Sequence, residues 1–205
     1  MRPRAATVAR VAAGTAVAVE ASVPVDGAAV LRVLWLFVPA YLANMSPVLV
    51  RGHVERLAVP IDGGRTFRGE RLLGDHKTWR GLLAGMAGGT LVYELQRLLA
   101  ASGLTDGLSL VDYARFPIVP GLLMGLGAGV GDAVKSFFKR RLGIAPGASW
   151  PVFDQLDFFA GAWLFLAPVC VPPLVPTLLA LPIVLAGTIA VTTIGWAIGL
   201  KEAWI

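Results

Sequence analysis

The chain has 205 residues, of which 56% are hydrophobic and only 15% are charged. Soluble domains carry about 25% charged residues, and the mean hydropathy of +0.71 exceeds what a core of this size can bury. These values exclude a disordered chain and a soluble enzyme with an ordinary polar surface. We therefore expect an integral membrane protein, in which the net charge of +5 reflects where basic residues flank the membrane spans.

A single cysteine and two histidines limit the possible chemistry. Cys170 lies in an apolar stretch and has no partner for an internal disulfide, so it is interpreted as a small hydrophobic residue. His53 and His76 are too few for a zinc site built from clustered Cys and His. The basic N-terminus is followed by a weakly apolar segment that Arg10 interrupts, so no cleavable signal peptide is predicted.

Five segments are long and apolar enough to cross a membrane, which takes about 20 residues. They run over about 28–50, 79–101, 115–131, 158–175 and 178–200. Segment 5–19 is short for a full crossing at about 1.5 Å per residue, so residues 1–27 are predicted to be an interfacial or half-inserted segment. With five spans and a cytoplasmic C-terminus, this segment would lie outside the cell, where its three arginines are unfavourable. A sixth crossing would place them inside, so the number of spans stays open. The predicted fold class is an all-α integral membrane protein with about five transmembrane helices.

Basic residues concentrate in two long connections between the predicted spans. Residues 51–80 and 132–157 hold eleven of the 18 Lys and Arg residues, and positively charged loops remain in the cytoplasm. We expect cytoplasmic loops at about 51–79 and 132–157, on the inner side of the plasma membrane. The same distribution explains the basic character of the chain without a nucleic-acid partner.

The second of these loops has a pattern that topology does not explain. If the third helix continues beyond the span, Asp132, Lys135, Ser136 and Lys139 lie at i, i+3, i+4 and i+7 and share one face. A carboxylate, a hydroxyl and two ammonium groups on one face suit a metal-bound polyphosphate. Phe137 and its neighbour Phe138 are then interpreted as packing residues that face lipid or other helices.

Two further carboxylates extend this pattern. Asp154 and Asp157 are three residues apart, and on a helix they share a face at the membrane boundary. Together with Asp132 they are predicted to converge on one or two Mg²⁺ ions, which take carboxylates, phosphates and water as ligands.

The first loop contains a segment, 69–78, that is close to a phosphate-binding P-loop. The pattern requires contiguous Gly-Lys-Thr, but Asp75 and His76 intervene and no strand precedes it. The P-loop fold is therefore rejected. Lys77 and Thr78 nevertheless stand directly before a predicted helix N-terminus, which favours anions, whereas His76 is interpreted as a loop residue.

Five motifs resemble those of the archaeal CDP-archaeol synthases in their order and spacing. They are Ala43–Leu49 (ANMSPVL), Pro60–Gly64 (PIDGG), Gly69–Gly81 (GERLLGDHKTWRG), Gly131–Arg141 (GDAVKSFFKRR) and Asp154–Phe158 (DQLDF). The segment 136–157 also resembles the signature of CDP-diacylglycerol synthases. It lacks the Lys-Asp pair and the Gly-His-Gly-Gly run of that signature.

The resemblance implies a membrane-embedded cytidylyltransferase domain over residues 28–205. The implied reaction is Mg²⁺-dependent transfer of CMP from CTP to unsaturated archaetidic acid (2,3-di-O-geranylgeranylglycerol 1-phosphate), giving CDP-archaeol and pyrophosphate. It makes Asp132, Lys135 and Lys139 catalytic, with Asp132, Asp154 and Asp157 on the metal. The residues implied to contact CTP or the lipid phosphate are Asn44, Asp62, Lys77, Thr78, Ser136 and Arg140. The expected partners are CTP, an isoprenoid ether lipid phosphate and membrane lipids, while the oligomeric state stays open.

Three alternatives remain at the level of the sequence. A CDP-diacylglycerol synthase would use an ester-linked phosphatidic acid. Gly129–Asp132 fits the Gly-x-Gly-Asp motif of intramembrane aspartyl proteases, although the Pro-Ala-Leu motif of that class is missing. Glu94, inside the second predicted span, fits a transporter if it is a coupling carboxylate, but Arg97 one turn later favours a local ion pair.

Overall fold

The computed structural model describes residues 17–18 and 24–199. This part of the chain is mostly helical, as predicted. Its helices are α1 (Gly27–Leu36), α2 (Val38–Leu49), α3 (Trp79–Ala101), α4 (Val119–Arg141), α5 (Phe153–Leu166) and α6 (Leu174–Ala197), with a 3-10 turn at Glu55–Leu57.

Four two-residue strands correct the prediction of an all-α chain. β1 (Val17–Ala18) pairs in parallel with β4 (Cys170–Val171), and β2 (Thr66–Phe67) pairs antiparallel with β3 (Glu70–Arg71). The predicted interfacial segment at 5–19 lies outside the described residues except at 17–18, where the structure has strand rather than helix.

Some helix boundaries differ from those of the predicted spans. One apolar span is divided into two helices, and one helix continues beyond its apolar part into charged turns. The second predicted span coincides with α3, but the first is divided at Phe37, after which Pro39 stands in the first turn of α2. α4 continues ten residues past Gly131, so the predicted loop at 132–157 is reduced to residues 142–152 between α4 and α5. Hydropathy marks where a helix is apolar, whereas the hydrogen-bonded backbone continues into the charged turns.

Small residues bring α4 and α5 into close contact. A Cβ on Gly161 of α5 would overlap the carbonyl oxygen of Gly127 on α4, and a Cβ on Gly131 would overlap the carbonyl oxygen of Asp157. Only glycine permits this backbone approach, which is typical of helix pairs in membranes. The contact brings the charged end of α4 against the first turns of α5.

Aromatic residues fill the core where α2 packs against α5. Phe37 and Phe159 are fully or almost fully buried, with ring centroids 4.4 Å apart. Tyr41 packs edge-on against Phe158 at 5.0 Å. This core fixes the position of α5, and therefore of its first two turns.

Two helical stretches of the described chain are long and apolar enough to cross a membrane. They are Gly27–Leu49, which comprises α1 and α2, and Leu174–Ala197. α3 and α4 have 23 residues each, but their charged and small residues lower their apolar character.

Candidate active site

Three carboxylates surround one ammonium group where α4 meets α5. The nitrogen Nζ of Lys135 lies 3.0 Å from Oδ1 of Asp132, 3.1 Å from Oδ1 of Asp154 and 2.7 Å from Oδ2 of Asp157. We call these four residues the Lys135 cluster. α4 supplies Asp132 and Lys135, and α5 supplies the other two, so the predicted helical faces of both segments are confirmed and converge.

Two more lysines balance the charge of the cluster. Nζ of Lys77 lies 2.5 Å from Oδ2 of Asp132, and Nζ of Lys139 lies 3.1 Å from each carboxylate oxygen of Asp154. The backbone N–H of Trp150 also donates to Asp154 before α5 begins. The described site therefore pairs three aspartates with three lysines.

A cavity of about 360 Å³ opens beside the cluster, and we call it the basic cavity. It is bounded by the loop before α3, by the charged end of α4 and by residues 146–149. Ser136, which is 6% exposed, lies in its wall. Its basic lining residues are Arg71, His76, Lys77, Lys135, Lys139 and Arg140.

Two guanidinium groups in this wall each have one nitrogen without an acceptor. The Nε atoms of Arg71 and Arg140 are buried and have no hydrogen-bond partner within the described structure. A buried donor without an acceptor costs about 1–3 kcal/mol, and an anion in the cavity would remove that cost. Phosphate is such an anion, because arginine binds it with charge-assisted hydrogen bonds.

Asp62 lies away from the Lys135 cluster and organises the loop before α3. Its carboxylate accepts hydrogen bonds from the backbone of Gly64 (3.0 Å), Leu73 (3.0 Å) and Gly74 (3.3 Å), and from Nη2 of Arg71 (2.8 Å). Burial alone would raise the pKa of Asp62, but these hydrogen bonds lower it to about 2. These hydrogen bonds hold the loop that carries Arg71, which lines the basic cavity, whereas Asp62 itself does not line it.

Asn44 and Thr78 line a second, smaller cavity on the other side of the Lys77–Asp132 ion pair. This second cavity has a volume of about 210 Å³ and lies between α2, α3 and α4. Thr78 is also the N-cap of α3, where its hydroxyl oxygen accepts a hydrogen bond from the backbone of Gly81. Neither residue borders the basic cavity.

Comparison with known proteins gives one family. The model of the CarS-like family, described as CDP-archaeol synthase, matches residues 28–205. The CDP-archaeol synthase of Halobacterium salinarum is 42% identical over 186 residues, covering 85% of this chain and 97% of that protein. The one from Pyrococcus furiosus is 40% identical over 153 residues, covering 74% of this chain and 84% of its own length.

A solved structure agrees with these relatives. It belongs to an intramembrane enzyme for archaeal membrane lipids biosynthesis, is 36% identical and has a TM-score of 0.59. The match covers 77% of this chain and 90% of that one. The chain belongs to the CDP-archaeol synthase family. Membership confirms the resemblance found in the motifs and makes the chain a cytidylyltransferase.

Within a CDP-archaeol synthase, oxygen ligands are the appropriate donors for a metal that neutralises phosphates. The cluster offers three carboxylates, but the ammonium of Lys135 stands between them. Among the described residues, no three Asp, Glu, His or Cys side chains surround one cation position. The carboxylates are oxygen donors of the kind that divalent cations prefer, and in this structure the ammonium of Lys135 occupies the space between them.

Some contributors to the site were missed by the sequence analysis. Arg71 was not assigned a role, although it lines the basic cavity and binds Asp62. Its carbonyl oxygen accepts a hydrogen bond from Nη1 of Arg141 at 2.8 Å, which joins the loop to α4. Arg141 lies over the ring of Phe137 at 4.1 Å, so Phe137 packs as predicted, against a cation rather than lipid. The sequence around Arg71 gives no signal of such tertiary contacts, because they depend on how the loop packs against α4.

The transporter and protease alternatives depend on Glu94 and Asp132, and the structure gives the partners of both side chains. Glu94 forms an ion pair with Arg97 at 2.8 Å and accepts a hydrogen bond from the backbone of Ile118, just before α4. This is the local pair that the spacing favoured, and it caps a helix. Asp132, the aspartate of the Gly-x-Gly-Asp motif, is held by Lys77 and Lys135.

Proposed function

We propose that this chain transfers CMP from CTP to unsaturated archaetidic acid and thereby forms CDP-archaeol. A phosphate oxygen of the lipid forms a bond to the α-phosphorus of CTP, while the bond from that phosphorus to the bridging oxygen of pyrophosphate breaks. The observation that carries this proposal is the Lys135 cluster opening directly into the basic cavity. Family membership supports the same reaction.

In this proposal the basic cavity binds the triphosphate of CTP. Lys77, Lys139 and Arg140 supply cations, and Ser136 supplies a hydroxyl donor from the same wall. Because the attacking lipid phosphate is already an anion, the reaction needs no general base. Catalysis then consists of positioning the two anions and neutralising their charge.

Asp132, Asp154 and Asp157 are proposed to hold Mg²⁺. When bound, the ion supplies neutralisation of the negative charge on the phosphates. Lys135 would then leave its three carboxylates and bind a phosphate oxygen, and Lys139 remains anchored by Asp154 and by the carbonyl oxygen of Ala148. Asp62 contributes indirectly, because it fixes the loop that carries Arg71.

The proposed topology has five crossings, with the site on the cytoplasmic side of the plasma membrane. Two stretches have the length and composition of spans, and α3, α4 and α5 pack with them in the same bundle. The basic residues of the loop before α3 and of the end of α4 support the cytoplasmic side. Residues 28–205, which the family model matches, form the proposed catalytic domain.

The test is incorporation of radiolabelled CTP into lipid by the purified protein. Asp132→Asn should lose activity about 100-fold or more, the size of effect seen when a preorganised charge is removed from an active site. Asp106→Asn, an exposed aspartate between α3 and α4, is the matched control and should retain activity. Undiminished activity of Asp132→Asn would contradict the site, and preference for an ester-linked over an ether-linked phosphatidic acid would favour the diacylglycerol alternative.

A further inference from the structure

An apolar groove of about 530 Å³ runs along α4 and α5. Its floor contains Gly131 and Gly161, where the two backbones touch. Phe138 and Leu164 rise on its walls and are 52% and 63% exposed. The groove exists because large side chains flank a seam of small ones.

One part of this groove is charged. Lys135 and Asp157 both line it, and they are the ion pair of the Lys135 cluster that lies 2.7 Å apart. The side chain of Asp157 is only 6% exposed, and among the described residues no donor other than Lys135 reaches its Oδ2. A buried charge costs free energy, so mere contact with membrane lipid does not account for it.

Lys135 lines the basic cavity as well as the groove. The two spaces therefore meet at a single ammonium group, polar on one side and apolar on the other. The proposed reaction needs this arrangement. The phosphate of the lipid acceptor must contact the triphosphate of CTP, while the isoprenoid chains of the same lipid remain in an apolar environment. The second cavity also shares a lysine, Lys77, with the basic cavity, but its volume of about 210 Å³ is less than half that of the groove.

We propose that the α4–α5 groove binds one isoprenoid chain of the lipid acceptor, with the acceptor phosphate at Lys135. This inference rests on the proposed function and names the subsite for its lipid substrate. From Asp157 to Leu164 the groove follows α5 for two turns, roughly 10 Å at 1.5 Å per residue. A chain of several isoprene units would reach Leu164, whereas a single unit would end near Asp157.

The test narrows the far end of the groove with Leu164→Trp. Two acceptors are compared, the geranylgeranyl diether phosphate and an analogue truncated to one isoprene unit per chain. We expect KM for the long acceptor to rise about tenfold, equivalent to about 1.4 kcal/mol, while KM for the short acceptor and the Kd for CTP stay unchanged. Leu91→Trp on α3, a position that is 70% exposed, is the matched control and should leave both KM values unchanged.

Several outcomes would overturn the proposal. Equal KM values for Leu164→Trp and the wild type, or a rise for Val48→Trp in the second cavity instead, would exclude the groove as the chain site. An altered oligomeric state of Leu164→Trp, with unaltered acceptor KM, would assign the groove to contact between copies. An inactive wild type would contradict the proposed function itself, which separates that failure from failure of the groove.

Discussion

Asp62 and Asp157 are both buried carboxylates in the polar part of the molecule, but their surroundings differ. The side chain of Asp62 is 1% exposed, and it accepts hydrogen bonds from three backbone N–H groups and one arginine. The side chain of Asp157 is 6% exposed. One of its oxygens accepts a hydrogen bond from the backbone of Phe158, and the other has only the shared ammonium of Lys135.

This difference separates a carboxylate with a complete set of local donors from one that depends on a shared cation. Asp62 has a full set of local donors, so nothing is gained by adding a ligand, and its hydrogen bonds hold the wall of the basic cavity. Asp157 shares one cation with two other carboxylates, and buried ionic groups of this kind are sensitive to any change of partner. A phosphate that attracts Lys135 would leave Asp157 without a cation, whereas Asp132 and Asp154 would keep Lys77 and Lys139.

The largest expected effect is that of Lys135→Met, which removes the shared cation. Activity should fall about 100-fold or more, because the variant lacks a cation for the phosphates. The vacated position should favour a divalent cation, so Mg²⁺ without CTP should raise the Tm of this variant more than that of the wild type. Activity assays and thermal unfolding with and without Mg²⁺ measure both quantities.

Arg97→Met is the control for this prediction, since it also removes a cation from a carboxylate. The pair that it breaks spans one helical turn, and Arg97 is 37% exposed, so the expected loss of stability is only about 0.5 kcal/mol. If Arg97→Met were as inactive as Lys135→Met, the distinction between an open cluster and a local pair would be wrong.

Periodicity explains which of these features could be predicted from the sequence. Asp132, Lys135 and Lys139 share a face because α4 is regular, and the spacing of Asp154 and Asp157 places them on one face of α5. The role of Asp62 could not be predicted in this way, because its donors come from turns whose geometry depends on tertiary contacts. The α4–α5 groove was missed for a related reason, since it arises from how two helices pack rather than from the pattern of either one.

Gly161→Ala should have the next largest effect, because it tests the packing that assembles the cluster. The added Cβ would overlap the carbonyl oxygen of Gly127 and contact Gly131 at 3.0 Å, so α5 must move away from α4. Overpacking of this kind costs about 1–3 kcal/mol, and it also displaces Asp154 and Asp157 from Lys135. We expect a lower Tm together with reduced activity.

Gly187→Ala on α6 is the matched control for that substitution. A Cβ at this position would meet only the hydroxyl of Tyr41 at 3.7 Å, an ordinary contact distance. Its Tm should equal or exceed that of the wild type, because alanine favours a helix by about 1 kcal/mol relative to glycine. Full activity of Gly161→Ala would show that the cluster does not depend on this close approach.

Asp62→Asn should have the smallest effect on catalysis, and its effect on stability should depend on pH. Asparagine keeps one acceptor oxygen but loses the charge-assisted bond to Arg71, so KM for CTP should rise while kcat changes little. The pKa of Asp62 is lowered from 3.8 to about 2 in the folded protein. The charge of Asp62 therefore stabilises the fold fully at pH values above its ordinary pKa of 3.8, and this stabilisation is lost as the pH falls toward 2.

Thermal unfolding of the wild type and of Asp62→Asn over this pH range measures that contribution. The wild type should be more stable by about 1.5–3 kcal/mol at neutral pH, the usual size for a hydrogen bond to a charged group, and the difference should shrink as the carboxylate becomes protonated. A difference independent of pH would mean that the charge of Asp62 does not stabilise the loop. A loss of kcat as large as that of Asp132→Asn would instead place Asp62 among the reacting groups, and the contrast with Asp157 would fail.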